Sequence, residues 1–318
     1  KFDMKVYCVQ YSAHAGKWIY NGLFAAWKHL GYEAYSPDST NVQTTTKMIW
    51  PCHEETLSED YYLMATADMV QCKMTLNSVK NSTKSFLFVQ PTQYPLPWGK
   101  HTNFTNLTPK KWIDELNELD NVIYWTFADI GDGDYYHLWD KKVHTIPLAF
   151  DSFGYKPTVN ERMKQFDIAF VGGWANNGFD EKRKIIIDIF SKFKDSGLNC
   201  GFFVNKNLTH QQECDLLANS RVTLNIHDAY QRILGLDTNE RTFKSLGLNG
   251  ALVSDTVGQL NRIFPEVKTS LNSEEIVGLT KNLLDLSEQE LIELKENNKA
   301  DILKNHTYVN RIEALLAL

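Results

Sequence analysis

The sequence predicts an α/β protein of two domains, each a parallel sheet with helices on its faces. Three observations predict it. The chain opens on a β–α–β unit, a strand–loop–helix–strand unit stands at Val222–Asp255 in its second half, and 318 residues exceed one ordinary domain. A hydrophobic fraction of 43% with 12% aromatics is enough for two cores and argues against disorder.

In the opening unit, Met4–Gln10 alternates as a strand. Ile19, Leu23, Ala26, Trp27 and Leu30 then recur at helical spacing across Trp18–Leu30, Gly31 stops the helix, and Tyr32–Tyr35 begins the next strand. A crossover of this kind makes the sheet parallel and puts the loop His14–Lys17 at a strand's carboxyl end, where such sheets bind ligands. The loop is not a P-loop, because Gly16-Lys17 lacks the upstream Gly and the following Ser or Thr. Tyr61–Val70 reads as helix or strand and Ser85–Gln90 as a strand. Pro91, Pro95 and Pro97 fix an extended loop, in which Tyr94 and Trp98 either stack on a sugar or base or pack beneath the loop. Trp112–Leu119 is an amphipathic helix, and Asn121–Phe127 and Val143–Leu148 are strands. A polar link with Pro157 follows and runs through Asn160.

The second half begins with the strand Asp167–Val171 and the pair Gly172-Gly173, whose backbone can approach a phosphate closely. The helix Asp180–Lys194 carries Lys182, Arg183 and Lys184 in its first turns. The helix dipole disfavours cations there, so they are either fully solvated or directed at an anion. Gly201–Val204 is a strand ending at Asn205-Lys206, and His210–Ser220 a helix. Val222, Leu224 and Ile226 alternate as a buried strand that ends at Asn225–His227, and a polar, glycine-containing loop follows. Phe243, Leu246 and Leu248 give the next helix its apolar face; it starts at Asn239 and stops at Asn249-Gly250. Ala251–Asp255 is a strand with an acidic end. Gly258–Phe264 and Glu274–Leu286 are helical, with Ser273 as a cap, and Ser287–Leu318 is a charged, mostly helical tail.

Charge and composition narrow the function classes. A net charge of −6 argues against a surface built for phosphate-backbone binding. Cys8, Cys52, Cys72, Cys200 and Cys214 are odd in number and contain no CxxC pair, so buried thiols in a reducing compartment are expected. Sequons stand at Asn81, Asn103, Asn106, Asn207 and Asn305 with no signal peptide before them. Met4-Lys5-Val6 makes a sensible start, with Lys1–Asp3 an addition ahead of it. No stretch is long and apolar enough to span a bilayer, and a soluble, cytoplasmic protein is expected.

Arg241 and Thr242 fall in a first helical turn, where unpaired N–H groups and the helix dipole favour anions. An arginine there makes a diphosphate clamp, or else pairs with a surface carboxylate while Asn239 caps the helix. Asp132-Gly133-Asp134 is either ordinary turn chemistry or a carboxylate pair for a divalent metal. Asp129, Asp132 and Asp134 follow a strand's carboxyl end, and any of them suits a general base.

The run Leu224–His227, with Asn239-Glu240-Arg241-Thr242-Phe243-Lys244 and Gly250–Asp255 after it and Phe166–Trp174 before it, resembles the C-terminal half of GT-B glycosyltransferases. The group is the CgeB-like, group-1-type enzymes, with Asn-x-His, a gap, Arg-Thr-Phe-Glu and a small-residue stretch ending in Gly. The resemblance covers about Phe166–Leu284, and the chain departs from it at Lys244, where the group has a donor-holding Glu.

The resemblance implies GT-B architecture, two Rossmann-like domains with an interdomain cleft. Its expected divisions are an acceptor-side domain 1–155, a donor-binding domain 156–300 and a final helix 301–318 crossing back to the first. It implies a hexosyl- or pentosyltransferase that moves a sugar from a nucleoside-diphosphate donor, a UDP-sugar foremost, to a hydroxyl of a glycan or other acceptor, without a metal or other cofactor. The donor set is Gly172, Gly173, Lys206, His227, Glu240, Arg241, Thr242 and Lys244, and the base candidates are His14, Asp129, Asp132 and Asp134. Three other readings stand beside it. One is a phage-type enzyme glycosylating a modified base, with nucleic acid as acceptor only; another is a non-catalytic nucleotide-sugar-binding domain. The third is a GT-A-like metal enzyme using Asp132 and Asp134.

Overall fold

The computed structural model describes residues 4–8, 15–35, 60–95, 108–163, 166–174 and 181–318. The chain divides into two compact units, Lys1–Pro147 with Tyr308–Leu318, and Leu148–Thr307.

The first unit runs β1 (Lys5–Cys8), α1 (Ala15–His29), β2 (Glu33–Tyr35), β3 (Tyr61–Thr66), α2 (Lys73–Asn81), β4 (Lys84–Phe88), α3 (Lys110–Asn117), β5 (Val122–Thr126) and β6 (Val143–Thr145). Among the described residues these strands make one six-stranded parallel sheet in the order β2-β1-β3-β4-β5-β6. Side chains alternate along each strand, so Leu63, Ala65, Leu87 and Tyr124 share a core with Val79 of α2 and Ile113 and Leu116 of α3. On α1, Trp27 is fully buried, its ring 6.0 Å from Phe86 and its indole N–H donating to Met64 sulfur at 3.2 Å. Burying such a side chain contributes about 2–3 kcal/mol. The last helix of the chain, Tyr308–Leu316, packs on α1 where Gly22 leaves room for the Tyr308 ring.

The second unit runs β7 (Ile168–Gly172), α4 (Glu181–Lys194), β8 (Cys200–Val204), α5 (His210–Asn219), β9 (Val222–Asn225), α6 (Ala229–Leu234), α7 (Glu240–Leu248) and β10 (Leu252–Ser254). It continues through α8 (Gly258–Ile263), β11 (Lys268–Thr269), α9 (Ser273–Leu284) and α10 (Glu288–Asn305). Its sheet, among the described residues, is five-stranded and parallel in the order β11-β10-β9-β7-β8. Phe170, Ile186, Phe193, Leu224, Ile226, Val253 and Ile276 are its buried centre. Phe150 and Thr307, where the chain enters and leaves this unit, form a parallel bridge, and Phe150 N–H donates to the His306 carbonyl at 2.8 Å.

Several local expectations change. Tyr61–Val70 is both of its alternatives in turn, a strand to Thr66 and then a 3-10 helix, Ala67–Gln71. The expected loop after His227 contains α6, because Asp228 N–H donates to the Gln231 side chain at 3.1 Å and Gly235 closes the helix at φ 69°. Asn272, not Ser273, caps α9: its side chain accepts from the N–H groups of Glu274 and Glu275 at 2.9 and 3.0 Å. Tyr94 packs, with its ring 5.7 Å from that of Tyr135, whereas Trp98 lies outside the described residues.

Candidate functional site

In the second unit the first turns of α4 and α7 bring Lys182 and Arg241 together at the carboxyl ends of β7 and β9. Arg241, on the first turn of α7, lays its guanidinium 4.9 Å over the Phe170 ring. Its Nε donates to the Val171 carbonyl at 2.8 Å, and its Nη1 donates to Asn225 Oδ1 at 3.2 Å and the Ile226 carbonyl at 3.4 Å. All these acceptors are neutral, and burial holds the guanidinium below its usual pKa. Among the described residues Nη2 meets no acceptor and the arginine no carboxylate within 4.0 Å. Nη2 lies against Gly172, where an added Cβ would stand only 2.5 Å from it. Any side chain at 172 would therefore have to displace the guanidinium and the Phe170 ring.

Lys182 joins this group from α4. Its Nζ donates to the same Ile226 carbonyl at 2.7 Å and lies 3.4 Å from Asp228. Burial lowers its pKa from 10.5 to about 8; Asp228 and Asp255 pull it up, and Arg241 pushes it further down. Of the two expectations for the basic start of α4, solvation fails for Lys182, which is buried. Next to it Gly173 turns the chain against Asn205, the one described non-glycine residue at positive φ, 51°. Its N–H donates to the Gly172 carbonyl at 2.9 Å, and its Oδ1 accepts from Trp174 N–H at 3.3 Å. Lys206 beyond it is exposed.

His227 and Thr242 are wholly buried and spend their polar atoms inside the protein. His227 Nδ1 lies 2.6 Å from Asp255 Oδ1 and Nε2 lies 2.7 Å from Thr238 Oγ1, while Thr242 Oγ1 bonds Thr238 and Asn225. Burial depresses the His227 pKa against the pull of Asp255, leaving the ring neutral. Burial alone would raise the Asp255 carboxyl, but the contacts with His227 and Arg232 outweigh it and keep Asp255 ionised. Asn239 starts α7 without a side-chain cap; its Nδ2 donates to the Ile226 carbonyl at 3.2 Å and its Oδ1 accepts from Asn225.

Lys244 neither points to solvent nor stands free for a phosphate. It is buried between Glu213 at 3.0 Å and Glu240 at 3.2 Å, with the Tyr155 ring 5.3 Å away. Burial opposes its charge, yet the two carboxylates outweigh burial and raise its pKa. Glu240 also accepts from the Tyr155 hydroxyl, so this family-departing lysine is the centre of a buried ion cluster.

The base candidates lie in the first unit. Asp129 is half-buried just past β5, and Asp132 and Asp134 are exposed in the turn after it. Gly133 permits that turn, because a Cβ there would overlap the Tyr135 ring. Among the described residues no three His, Cys, Asp or Glu side chains stand together as metal ligands. His14 lies outside the described residues. Sequence reasoning missed Asp255 and Thr238. Their signal was spacing: Asn225 and His227 stand two apart at a strand end, and Thr238 stands four before Thr242.

Residues 158–317, half of the chain, match the family model described as glycosyl transferase-like. The chain belongs to this glycosyltransferase family. No curated protein matches it. Among solved structures it resembles a trehalose-6-phosphate protein from E. coli bound with UDP-2-fluoro glucose, at 10% identity and TM-score 0.58 over 98% of each chain. It resembles AviGT4, a glycosyltransferase involved in avilamycin A biosynthesis, at 12% identity and TM-score 0.53 over 99% of this chain and 96% of that one. An α-glucosyltransferase in complex with UDP-glucose and DNA containing an abasic site is similar at 11% identity and TM-score 0.54, over 96% and 95%. Identities this low show the fold, which is the GT-B glycosyltransferase architecture of two Rossmann-like domains. No helix among the described residues is long and apolar enough to cross a membrane.

Proposed function

We propose that this glycosyltransferase takes a UDP-sugar, holds its diphosphate in the second unit with Arg241, Lys182 and the Gly172-Gly173 backbone, and passes the sugar to a hydroxyl. The observation that carries the reading is the part-buried Arg241 guanidinium, whose hydrogen bonds among the described residues all go to neutral acceptors and whose Nη2 lies beside Gly172. Carboxylates of Glu213, Glu240, Asp228 and Asp255 act on the guanidinium only from a distance, so desolvation is costly, and a bound diphosphate in direct contact lowers that cost. Lys182, 2.7 Å from the Ile226 carbonyl that Arg241 also contacts, supplies a second cation. The UDP part rests on the donors named with two structurally similar proteins.

In the reaction the acceptor oxygen attacks the anomeric carbon and the bond from that carbon to the diphosphate oxygen breaks. The nucleoside diphosphate leaves with the electron pair. Fixed cations aimed at the leaving oxygen stabilise charge as it develops and need no reorganisation, so Arg241 and Lys182 do work here that a metal does elsewhere. The acceptor proton goes to a base, for which Asp129, Asp132, Asp134 and His14 are the candidates. The first unit is then the acceptor side and the second the donor side. His227, Thr242 and Lys244 support the donor site from behind, Glu240 is held beside Arg241 by Lys244, and exposed Lys206 is left to meet the base.

The test is a thermal-shift screen of nucleoside diphosphates and their sugars, with and without EDTA, on wild type and Arg241→Ala. A UDP-dependent rise in Tm that survives EDTA and vanishes in Arg241→Ala is expected. A rise equal in both proteins would overturn the clamp. Glycans and DNA bearing hydroxylated bases then serve as acceptors; the DNA arm is included because DNA is bound to one similar structure.

A further inference from the structure

We infer that Asn225, Thr242, Thr238 and His227 are positioning residues: they form a one-way hydrogen-bond chain, anchored on Asp255, that fixes which guanidinium nitrogen of Arg241 faces the diphosphate. The proposal rests on the donor-site reading above and concerns residues behind that site.

The direction of every link follows from its two ends. Arg241 can only donate, so the Asn225 oxygen, 3.2 Å from Nη1, faces it. The Asn225 amino group therefore faces the other way, donating to Thr242 Oγ1 at 2.8 Å and Asn239 Oδ1 at 2.9 Å. At the far end the Asp255 carboxylate can only accept, so His227 Nδ1 carries the proton across their 2.6 Å contact. His227 backbone N–H donates to the same carboxylate at 3.0 Å, which holds the strand end and the ring to one anchor. A neutral ring with its proton on Nδ1 leaves Nε2 as acceptor, and the Thr238 hydroxyl donates to it at 2.7 Å. With that proton used, Thr238 oxygen accepts from the Thr242 hydroxyl at 2.7 Å, and Thr242 oxygen accepts from Asn225.

Along this path each donor points from Arg241 towards Asp255, with side contacts of the Asn225 amide to Asn239 and, at 3.4 Å, to His227 Nε2, and the links reinforce one another. Asn225, Thr242, Thr238, His227 and Asp255 are all essentially inaccessible to water, so no solvent molecule competes at any step. Together with the Val171 carbonyl on Nε, the chain commits Nε and Nη1 of the guanidinium to the protein. What is left is Nη2, against the side-chain-free Gly172. A guanidinium that turned over would instead spend Nη2 on Asn225.

The test measures UDP and uridine binding by titration calorimetry on the whole chain. Thr238→Val removes one hydroxyl and keeps the shape, and Thr238→Ser restores the hydroxyl. Loss of a link should weaken UDP about tenfold. Uridine, which lacks the diphosphate, should bind as to wild type, and Thr238→Ser should recover most of the UDP affinity. In an Arg241→Ala background, Thr238→Val should weaken UDP no further. Equal weakening of UDP and uridine, or a full loss that persists without Arg241, would overturn the proposal and leave Thr238 a packing residue. Should Thr238→Val not fold, Thr242→Val breaks the neighbouring link and carries the same expectations. If Arg241→Ala leaves UDP affinity untouched, the donor-site reading fails instead, whatever Thr238→Val does.

Discussion

The two units carry their candidate chemistry in opposite ways. In the second, Lys182, His227 and Asp255 are buried and Arg241 partly buried at element ends, each tied by two or more bonds within 3.5 Å. In the first, Asp132 and Asp134 stand exposed on a turn and Asp129 is half-buried beside them. An exposed carboxylate costs the fold little, and its presence says little about purpose. A buried cation must be held by something, and what holds it reveals what it awaits. Hence the proposed donor site can be argued from geometry, whereas choosing among the acids calls for kinetics.

The sharpest way to break this comparison is Arg241→Ala. Removing a preorganised charge from a leaving group typically costs about 100-fold or more in kcat. Stopped assays of donor hydrolysis or transfer should show a loss of that size, and a loss under threefold would put the buried site on a level with the exposed acids. Next comes Gly172→Ala, whose methyl would stand 2.5 Å from Arg241 Nη2. It should displace the guanidinium and weaken UDP by about tenfold or more while Tm changes little, if the displaced group is as important as its site suggests.

Lys244→Glu installs the residue that the motif resemblance expects, yet here it would put three carboxylates together, because Glu213 and Glu240 lie 3.0 and 3.2 Å from Lys244. Breaking a buried ion cluster costs about 3 kcal/mol or more. A fall in Tm of roughly 8 °C is therefore expected by calorimetry. An unchanged Tm would mean that the cluster is as inconsequential as a surface pair.

Lys182 sharpens the comparison through pH. Its pKa is lowered to about 8, and a bound diphosphate would raise it again. UDP affinity should therefore hold below pH 8 and fall as pH rises past it, with proton uptake on binding in that range. Lys182→Met should flatten the profile. Folding stability moves the other way. Above pH 8 the folded chain has lost this proton while the unfolded chain keeps it up to about 10.5, so this group's contribution to stability rises with pH there. The smallest effects belong to Asp132→Asn and Asp134→Asn, which should leave Tm within about a degree and UDP affinity within about twofold. Turnover measured on the same proteins shows whether either is the base.

The sequence made the sheets and most helices legible because their apolar residues follow periods of two and 3.6. Val222, Leu224 and Ile226, or Ile19, Leu23 and Trp27, give away their elements before any tertiary contact is known. Where periodicity is short the reading failed, as at α6, which depends on Asp228 and Gln231 at its start and Gly235 at its end. Arg241 was legible from its place in a first helical turn, and the structure puts it at the end of β9 beside Gly172. Thr242 and His227 were legible as belonging to the same region, but not as buried links, since only the fold shows where the ring nitrogens go. Lys244 was legible as a departure, and its partner Glu213, thirty-one positions away, was not.

The return of the last helix has a consequence for biosynthesis. Tyr308–Leu318 belongs with the first unit, and the Tyr308 ring occupies the space that Gly22 leaves on α1. As the chain leaves a ribosome, the opening sheet emerges first but stays a helix short until all of 148–307 has been translated. At ordinary elongation rates that wait is roughly ten to thirty seconds. The second unit is contiguous and has no such delay. It can close as soon as Thr307 arrives to pair with Phe150, and so finish folding before the unit that began first.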